Sequence, residues 1–204
     1  MIQQILDIVG NFGVLQWAAF LLNSIYIWLA SHERSSCWIF GFFGTIATFF
    51  VSLNANLKSD ATLQIYYGFS AVYGWLSWQG KVSFLGVQKP KDDLPLQVSS
   101  MAWRDHLLII LIGALASNLL GNLWSSAAWR YGDAFLTTFS VIATLLTARK
   151  IVETWVYWVV IDAGYAIIYG ERGVYLLALL SIVYTFFSVK GYFNWKKKII
   201  LKQL

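Results

Sequence analysis

The chain has 204 residues, of which 58% are hydrophobic, 18% aromatic and only 12% charged. Soluble domains carry about 25% charged residues, so an ordinary soluble enzyme or binding module is excluded and a membrane protein is expected. The formal net charge of +5 invites a nucleic-acid partner, yet the basic residues gather at the ends of apolar blocks, where lipid headgroups account for them without one.

The opening segment MIQQILDIVG holds Asp7 but no basic n-region and no small-residue cleavage site, so no removable signal peptide is predicted. Seven apolar blocks follow, at 13–31, 36–53, 61–79, 105–123, 133–148, 152–169 and 174–194. Each comes near the roughly 17 to 25 helical residues that cross a hydrocarbon core about 30 Å thick. They lack the polar and apolar alternation of a membrane barrel. The expected fold class is therefore an all-α integral membrane protein with seven transmembrane helices. Between the third and fourth blocks, residues 80–103 contain both prolines, Pro90 and Pro95, and the run KPKDD, which marks a connector. Residues 196–204 form a basic tail.

Placing the amino terminus outside leaves Lys58, Arg130 and Arg172 on the outer side and the other twelve lysines and arginines on the inner side. That asymmetry follows the positive-inside rule and predicts a cytoplasmic carboxyl terminus.

The sequence also resembles itself at an offset of 117, which aligns Trp38 with Trp155, Tyr67 with Tyr184, Gly74 with Gly191 and Trp78 with Trp195. Four crossings separate each residue from its counterpart, and an even number restores direction. The prediction is two parallel three-helix repeats, 13–79 and 133–195, around residues 80–132, which hold the loop and an inverting fourth helix. A substrate path is expected between the repeats of this single membrane domain, 1–204.

On the sixth block Trp155, Trp158, Asp162, Tyr165 and Tyr169 share one helical stripe. Counting about 1.5 Å per residue from Ile151 places Asp162 some 16 Å in, near the midplane. An ionisable group at that depth is a functional candidate by default. The alternative is a structural acid, paired with a lysine such as Lys190 or protonated and bonded to a hydroxyl. The matching stripe of the second block is Trp38, Gly41, Thr45, Thr48 and Ser52, small where the sixth is bulky. Small residues favour close helix packing, and an asymmetric ligand would also use them. The third block offers Gln64, Tyr67, Ala71, Gly74 and Trp78, and the seventh Ser181, Tyr184, Ser188 and Gly191. Gln64 serves equally as a ligand amide or as interhelical glue. Trp17, Trp28, Trp103, Trp124 and Trp129 lie near block ends as interfacial anchors.

Cys37 is the only cysteine, and His32 and His106 are the only histidines, both near block ends. No phosphate loop, HExxH or GxSxG occurs, so neither an enzyme nor a cofactor or metal is expected.

At TARKIVETWVYWVVID and LQIYYGFSAVYGWLSW the chain resembles the PnuC-type vitamin transporters, over nearly its whole length. The specific elements are W-x-x-W-x-x-x-N/D, matched by Trp155, Trp158 and Asp162, and a glutamine nine residues before Y-G-W, matched by Gln64, Tyr73, Gly74 and Trp75. The resemblance implies a three-plus-one-plus-three architecture like that of the SWEET carriers, a homotrimer in a bacterial inner membrane, and facilitated diffusion of an unphosphorylated vitamin that a cytoplasmic kinase then traps. It implies substrate contacts for Trp155, Trp158, Asp162 and Gln64. Tyr165, Thr45, Tyr67 and Tyr184 join them as candidates from the helix faces. Nicotinamide riboside members carry asparagine at the position of Asp162 and further amides near Ala71 and Lys190. Nicotinamide riboside is the first expectation for the cargo and thiamine the second, both flat cationic heterocycles. A membrane-embedded sensor or enzyme, or a sugar carrier on the SWEET pattern, are the more distant alternatives.

Overall fold

The computed structural model describes residues 13–82, 95–123 and 129–203. The opening segment with Asp7, most of the KPKDD connector and the anchor Trp124 lie outside the described residues. Seven helices are present among them: α1 (Val14–Ser31), α2 (Cys37–Asn54), α3 (Lys58–Trp78), α4 (Trp103–Leu123), α5 (Arg130–Ala148), α6 (Thr154–Glu171) and α7 (Tyr175–Gln203).

Each helix coincides with one predicted block, and the largest difference is at the end of α7. That helix runs straight through Lys196, Lys197 and Lys198 instead of stopping near 194. Trp195 is fully buried and its indole N–H donates to the Ala30 carbonyl at 3.1 Å. Ile199 packs on the same cluster, and Lys198 pairs with Glu33. Tertiary contacts thus keep a basic stretch helical that composition alone reads as a tail.

Five of the seven are long and apolar enough to cross a membrane by those two measures alone; α3 and α6 fall outside that set. Both have the required length. What lowers their apolarity is polar and aromatic side chains, Asp60, Gln64 and Tyr67 on α3 and Trp155, Trp158, Asp162, Tyr165 and Tyr169 on α6, all of which face an internal cavity and not lipid. A polar residue in a spanning helix is tolerated where it lines such a cavity.

Helix backbones pack α1 to α2, α2 to α3, α3 to α5, α5 to α6, α6 to α7, and α7 back to α1, while α4 packs against α5 and reaches α6 through His106, whose Nδ1 is 3.0 Å from the Tyr157 hydroxyl. Six helices therefore close a ring with α4 outside it. Exchanging α1, α2 and α3 for α5, α6 and α7 maps this ring onto itself, as two parallel three-helix units would.

Atomic contacts repeat at the same offset of 117. A Cβ on Gly74 would lie 2.4 Å from the Trp38 ring and one on Gly191 2.6 Å from the Trp155 ring, so in each half only glycine lets the third helix approach the tryptophan of the second. Trp38 meets Trp78 edge-on at 5.5 Å, and Trp155 meets Trp195 at 5.1 Å. The Trp78 indole donates to the Thr147 carbonyl at 3.1 Å, the counterpart of Trp195 and Ala30. Ser77 donates to the Ala148 carbonyl and Asn194 to that of Ser31. Every pair here differs from its counterpart by the same spacing, although Ser77 and Asn194 share only the ability to donate.

The ends of α1 and α5 also match. Each closes with a residue in the left-handed region, Glu33 (φ 62°) and Lys150 (φ 53°). Glycine normally takes that place, since an L side chain costs about 1 to 2 kcal/mol there. The cost is offset because the two side chains meet: Lys150 Nζ donates to Glu33 Oε1 at 2.7 Å, joining residues 117 apart. A contact between equivalent positions lies on the pseudo-twofold axis, and Trp78 and Trp195, 5.6 Å apart, sit on it too. Lys150 Nζ also donates to the Leu96 carbonyl and lies 4.6 Å above the Trp78 ring. Burial pushes the Glu33 carboxyl up, but its bonds to Lys150 and Lys198 outweigh that and hold it below its ordinary range. This end of the ring, the Glu33 end, is closed by four buried tryptophans under an ion-pair cluster.

Candidate substrate-binding cavity

Six helices of the ring line a cavity enclosing about 1000 Å³ with its opening included. That is the scale of a site for one drug-sized molecule. The Trp155, Trp158, Asp162, Gln64, Tyr165, Thr45, Tyr67 and Tyr184 singled out in the sequence all line it. Helical stripes explain the convergence: α2, α3, α6 and α7 each turn one face to the ring interior, and the predicted residues occupy those faces.

Asp162 stands eight residues after the start of α6 and nine before its end, so it is near mid-depth. It is 3% exposed, and Ser188 Oγ approaches its Oδ2 at 3.5 Å, the limit of a hydrogen bond. The lysine considered for it in the sequence is elsewhere, since Lys190 Nζ lies 4.5 Å over the Phe186 ring. A buried carboxylate so weakly held is costly unless a ligand completes its shell.

Around it the aromatic walls are fixed. Trp158 Nε1 donates to Thr147 Oγ1 at 3.0 Å, which sets the plane of its ring. The buried Trp155 and Trp38 leave their indole N–H groups without a partner. Tyr165 and Tyr169 stack at 5.2 Å and 11° one and two turns away from Asp162 toward the Arg172 end. Tryptophan and tyrosine faces attract cations and stack on flat rings. An aromatic enclosure, donors on its walls and a carboxylate at its depth together suit a flat heterocycle with a positive charge.

The family described as nicotinamide mononucleotide transporter matches residues 13–197. The chain belongs to that family. It is a multi-pass membrane transporter and not an enzyme. Among its relatives, the nicotinamide riboside transporter PnuC of Escherichia coli (strain K12) is 25% identical over 189 residues, covering 83% of this chain and 79% of that protein. The riboflavin/roseoflavin transporter RibM of Streptomyces davaonensis is 24% identical over 194 residues, covering 93% of this chain and 83% of RibM. A crystal structure of the vitamin B3 transporter PnuC has the same fold, with a TM-score of 0.79 and 19% identity over 97% of this chain and 87% of that one.

Sequence reasoning missed several lining residues, among them Asn23, Tyr26, Asp60, Thr144 and Thr147. Asn23 was legible, being an amide inside an apolar helix. It fills the space left by Gly44, where a Cβ would be 2.6 Å from its Oδ1, and it donates to Thr48 Oγ1 at 2.9 Å while the Tyr184 hydroxyl donates to it at 3.3 Å. Asp60 was hidden because the third block was read as starting at 61. Helix α3 in fact begins at Lys58 and draws this acid into the cavity wall.

Proposed function

We propose that this chain carries nicotinamide riboside into the cell by facilitated diffusion across the bacterial cytoplasmic membrane, where phosphorylation by a cytoplasmic kinase traps it. The observation that carries this reading is Asp162, a mid-depth carboxylate whose contact with Ser188 is long, at the heart of an aromatic cavity. A fixed cation loses its water on entering such a cavity, and the carboxylate substitutes for that water. The E. coli relative carries the same vitamin by name. On the positive-inside pattern the Glu33 end is cytoplasmic and the Arg172 end faces outward.

Thiamine is the second reading, and the acid itself favours it, because the resemblance associates nicotinamide riboside with asparagine at this position. Riboflavin, named for RibM, is uncharged and makes no use of Asp162. The homotrimer is also part of the proposal. Helix α4, outside the ring with Leu108, Leu111, Leu115 and Leu119 exposed, offers a surface for lipid or for neighbouring copies.

Purified protein in sealed liposomes should let labelled nicotinamide riboside equilibrate without ATP or an ion gradient, with thiamine competing. Accumulation above the external concentration only under a proton gradient would refute passive transport. Uptake of riboflavin with no uptake of either cation would refute the counter-charge reading.

A further inference from the structure

Asp162 is not the only carboxylate of the cavity. Asp60, two residues into α3, is 5% exposed and lines the same space from the Arg172 end. It shares that end with Asp133 and Arg172, but the guanidinium is already engaged: Arg172 Nη2 donates to Asp133 Oδ2 at 2.5 Å. The Tyr169 hydroxyl lies nearby, and the Oδ2 of Asp60 is buried with no hydrogen-bond partner at all. Two carboxylates and one guanidinium leave one negative charge uncompensated, and the geometry assigns it to Asp60.

The residues between the two acids form a track. Asp60 is about 3 Å from its end of α3, and Asp162 is nine residues, about 14 Å, from Glu171 at the same end of α6, so roughly 10 Å of depth separates them. Tyr169, close to Asp60 in the same wall, stacks on Tyr165, and Tyr165 is three residues, less than one turn, from Asp162 on the same face. An acid, two stacked phenol rings and a second acid succeed one another along the wall. A desolvated cation moving inward finds a favourable contact at every step, since aromatic faces carry negative potential.

We propose that Asp60 is the first of two carboxylate stations for the cargo, receiving its cation at the Arg172 end before it passes along the Tyr169 and Tyr165 rings to Asp162. The proposal rests on the reading above that the cargo is cationic, and it adds a second residue that selects for charge. It assigns the two acids different kinetic roles. Asp60 stands nearer the Arg172 end, acts on the way in and governs capture, since a charge met early on the path acts on the association step. Asp162 holds the bound cargo and governs release.

The full chain in lipid nanodiscs, followed by quenching of its own tryptophan fluorescence in stopped flow, separates these roles with nicotinamide riboside and thiamine as probes. For Asp60→Asn the association rate constant should fall about tenfold with the dissociation rate constant unchanged or lower, and Asp60→Glu should restore association to within about threefold of the parent. Asp162→Asn should instead raise the dissociation rate constant. Where the asparagine variant does not fold, Asp60→Ser repeats the comparison. Association unaltered in Asp60→Asn, or faster dissociation of the kind a distorted deep site gives, overturns the proposal while leaving the assigned cargo intact. If the parent binds thiamine and not nicotinamide riboside, with the same loss in Asp60→Asn, the proposal stands and the choice of vitamin falls. If the parent binds riboflavin and neither cation, both fall.

Discussion

The stripes that α2 and α6 turn to the ring interior occupy equivalent places and have diverged unequally. At the Glu33 end the two agree. Trp38 and Trp155 each rest on a glycine of the next helix and each meets a second tryptophan edge-on. Toward the Arg172 end they differ at every turn. Gly41 stands opposite Trp158, Thr45 opposite Asp162, Thr48 opposite Tyr165 and Ser52 opposite Tyr169. The shared tryptophans hold the helices together at the base of the cavity, and of the divergent pairs all but Ser52 contribute to its lining. A symmetric frame thus carries an asymmetric site. Polar and aromatic groups sit on α6, while α2 stays small and lets Tyr26 and Asn23 of α1 pack against Gly41 and Gly44. Thr45 and Thr48 donate their hydroxyls to their own backbone, to the carbonyls of Phe42 and Gly44 at 2.8 Å, and Thr48 Oγ1 also accepts from Asn23, so neither hydroxyl proton is free for a ligand.

If the frame is common to both halves, breaking it should cost the same in each. Gly74→Ala and Gly191→Ala place a Cβ 2.4 and 2.6 Å from an indole that has nowhere to move. Each should destabilise the protein by about 2 to 3 kcal/mol, the upper range for overpacking, read as matched drops in thermal unfolding temperature. A large drop for one and none for the other would mean that the two tryptophans are not equivalent supports.

If the stripes differ in function, exchanging chemistry should hurt on one side alone. Asp162→Asn keeps shape and removes charge, and should weaken a cationic vitamin about tenfold, roughly 1.4 kcal/mol. Its counterpart Thr45→Val should change affinity less than about threefold. Equilibrium titration with nicotinamide riboside and thiamine checks both. Equal affinities in Asp162→Asn and the parent would make this acid a structural residue. Stronger nicotinamide riboside binding with thiamine binding abolished would make position 162 the selectivity switch and the native cargo thiamine.

The smallest effect concerns the pair on the axis. Lys150 and Lys198 hold Glu33 below its ordinary value of 4.5, so its folded state releases the proton more readily than its unfolded state. The stability this contributes is complete above pH 4.5 and is lost as pH falls through the lower folded value. Glu33→Gln should therefore destabilise the protein at pH 7 by about 1 kcal/mol, since Lys198 is open to solvent and Lys150 keeps the Leu96 carbonyl as acceptor, read as a small drop in unfolding temperature. Parent and variant should converge in acid. Parallel curves at every pH would show that the charge contributes nothing.

Seven helices, the 117-residue offset and the aromatic stripe with its acid were legible from the sequence alone, because lipid demands long apolar helices and a 3.6-residue period then places each side chain on a face. The eight candidate residues shared one cavity for the same reason. Three matters were decided only by tertiary structure. Which residues of the terminal turns enter the cavity depended on where α3 begins, and apolar content blurs at helix ends, so Asp60 falls just ahead of the third block. That α7 continues past the basic run depended on Trp195, Ile199 and Lys198 finding partners on α1 and its following turn, contacts some 165 residues apart in sequence. That Glu33 and Lys150 meet on the symmetry axis depended on two helix ends being brought face to face. Local periodicity determines what each helix shows to its surroundings, and only packing determines which helix is there to meet it.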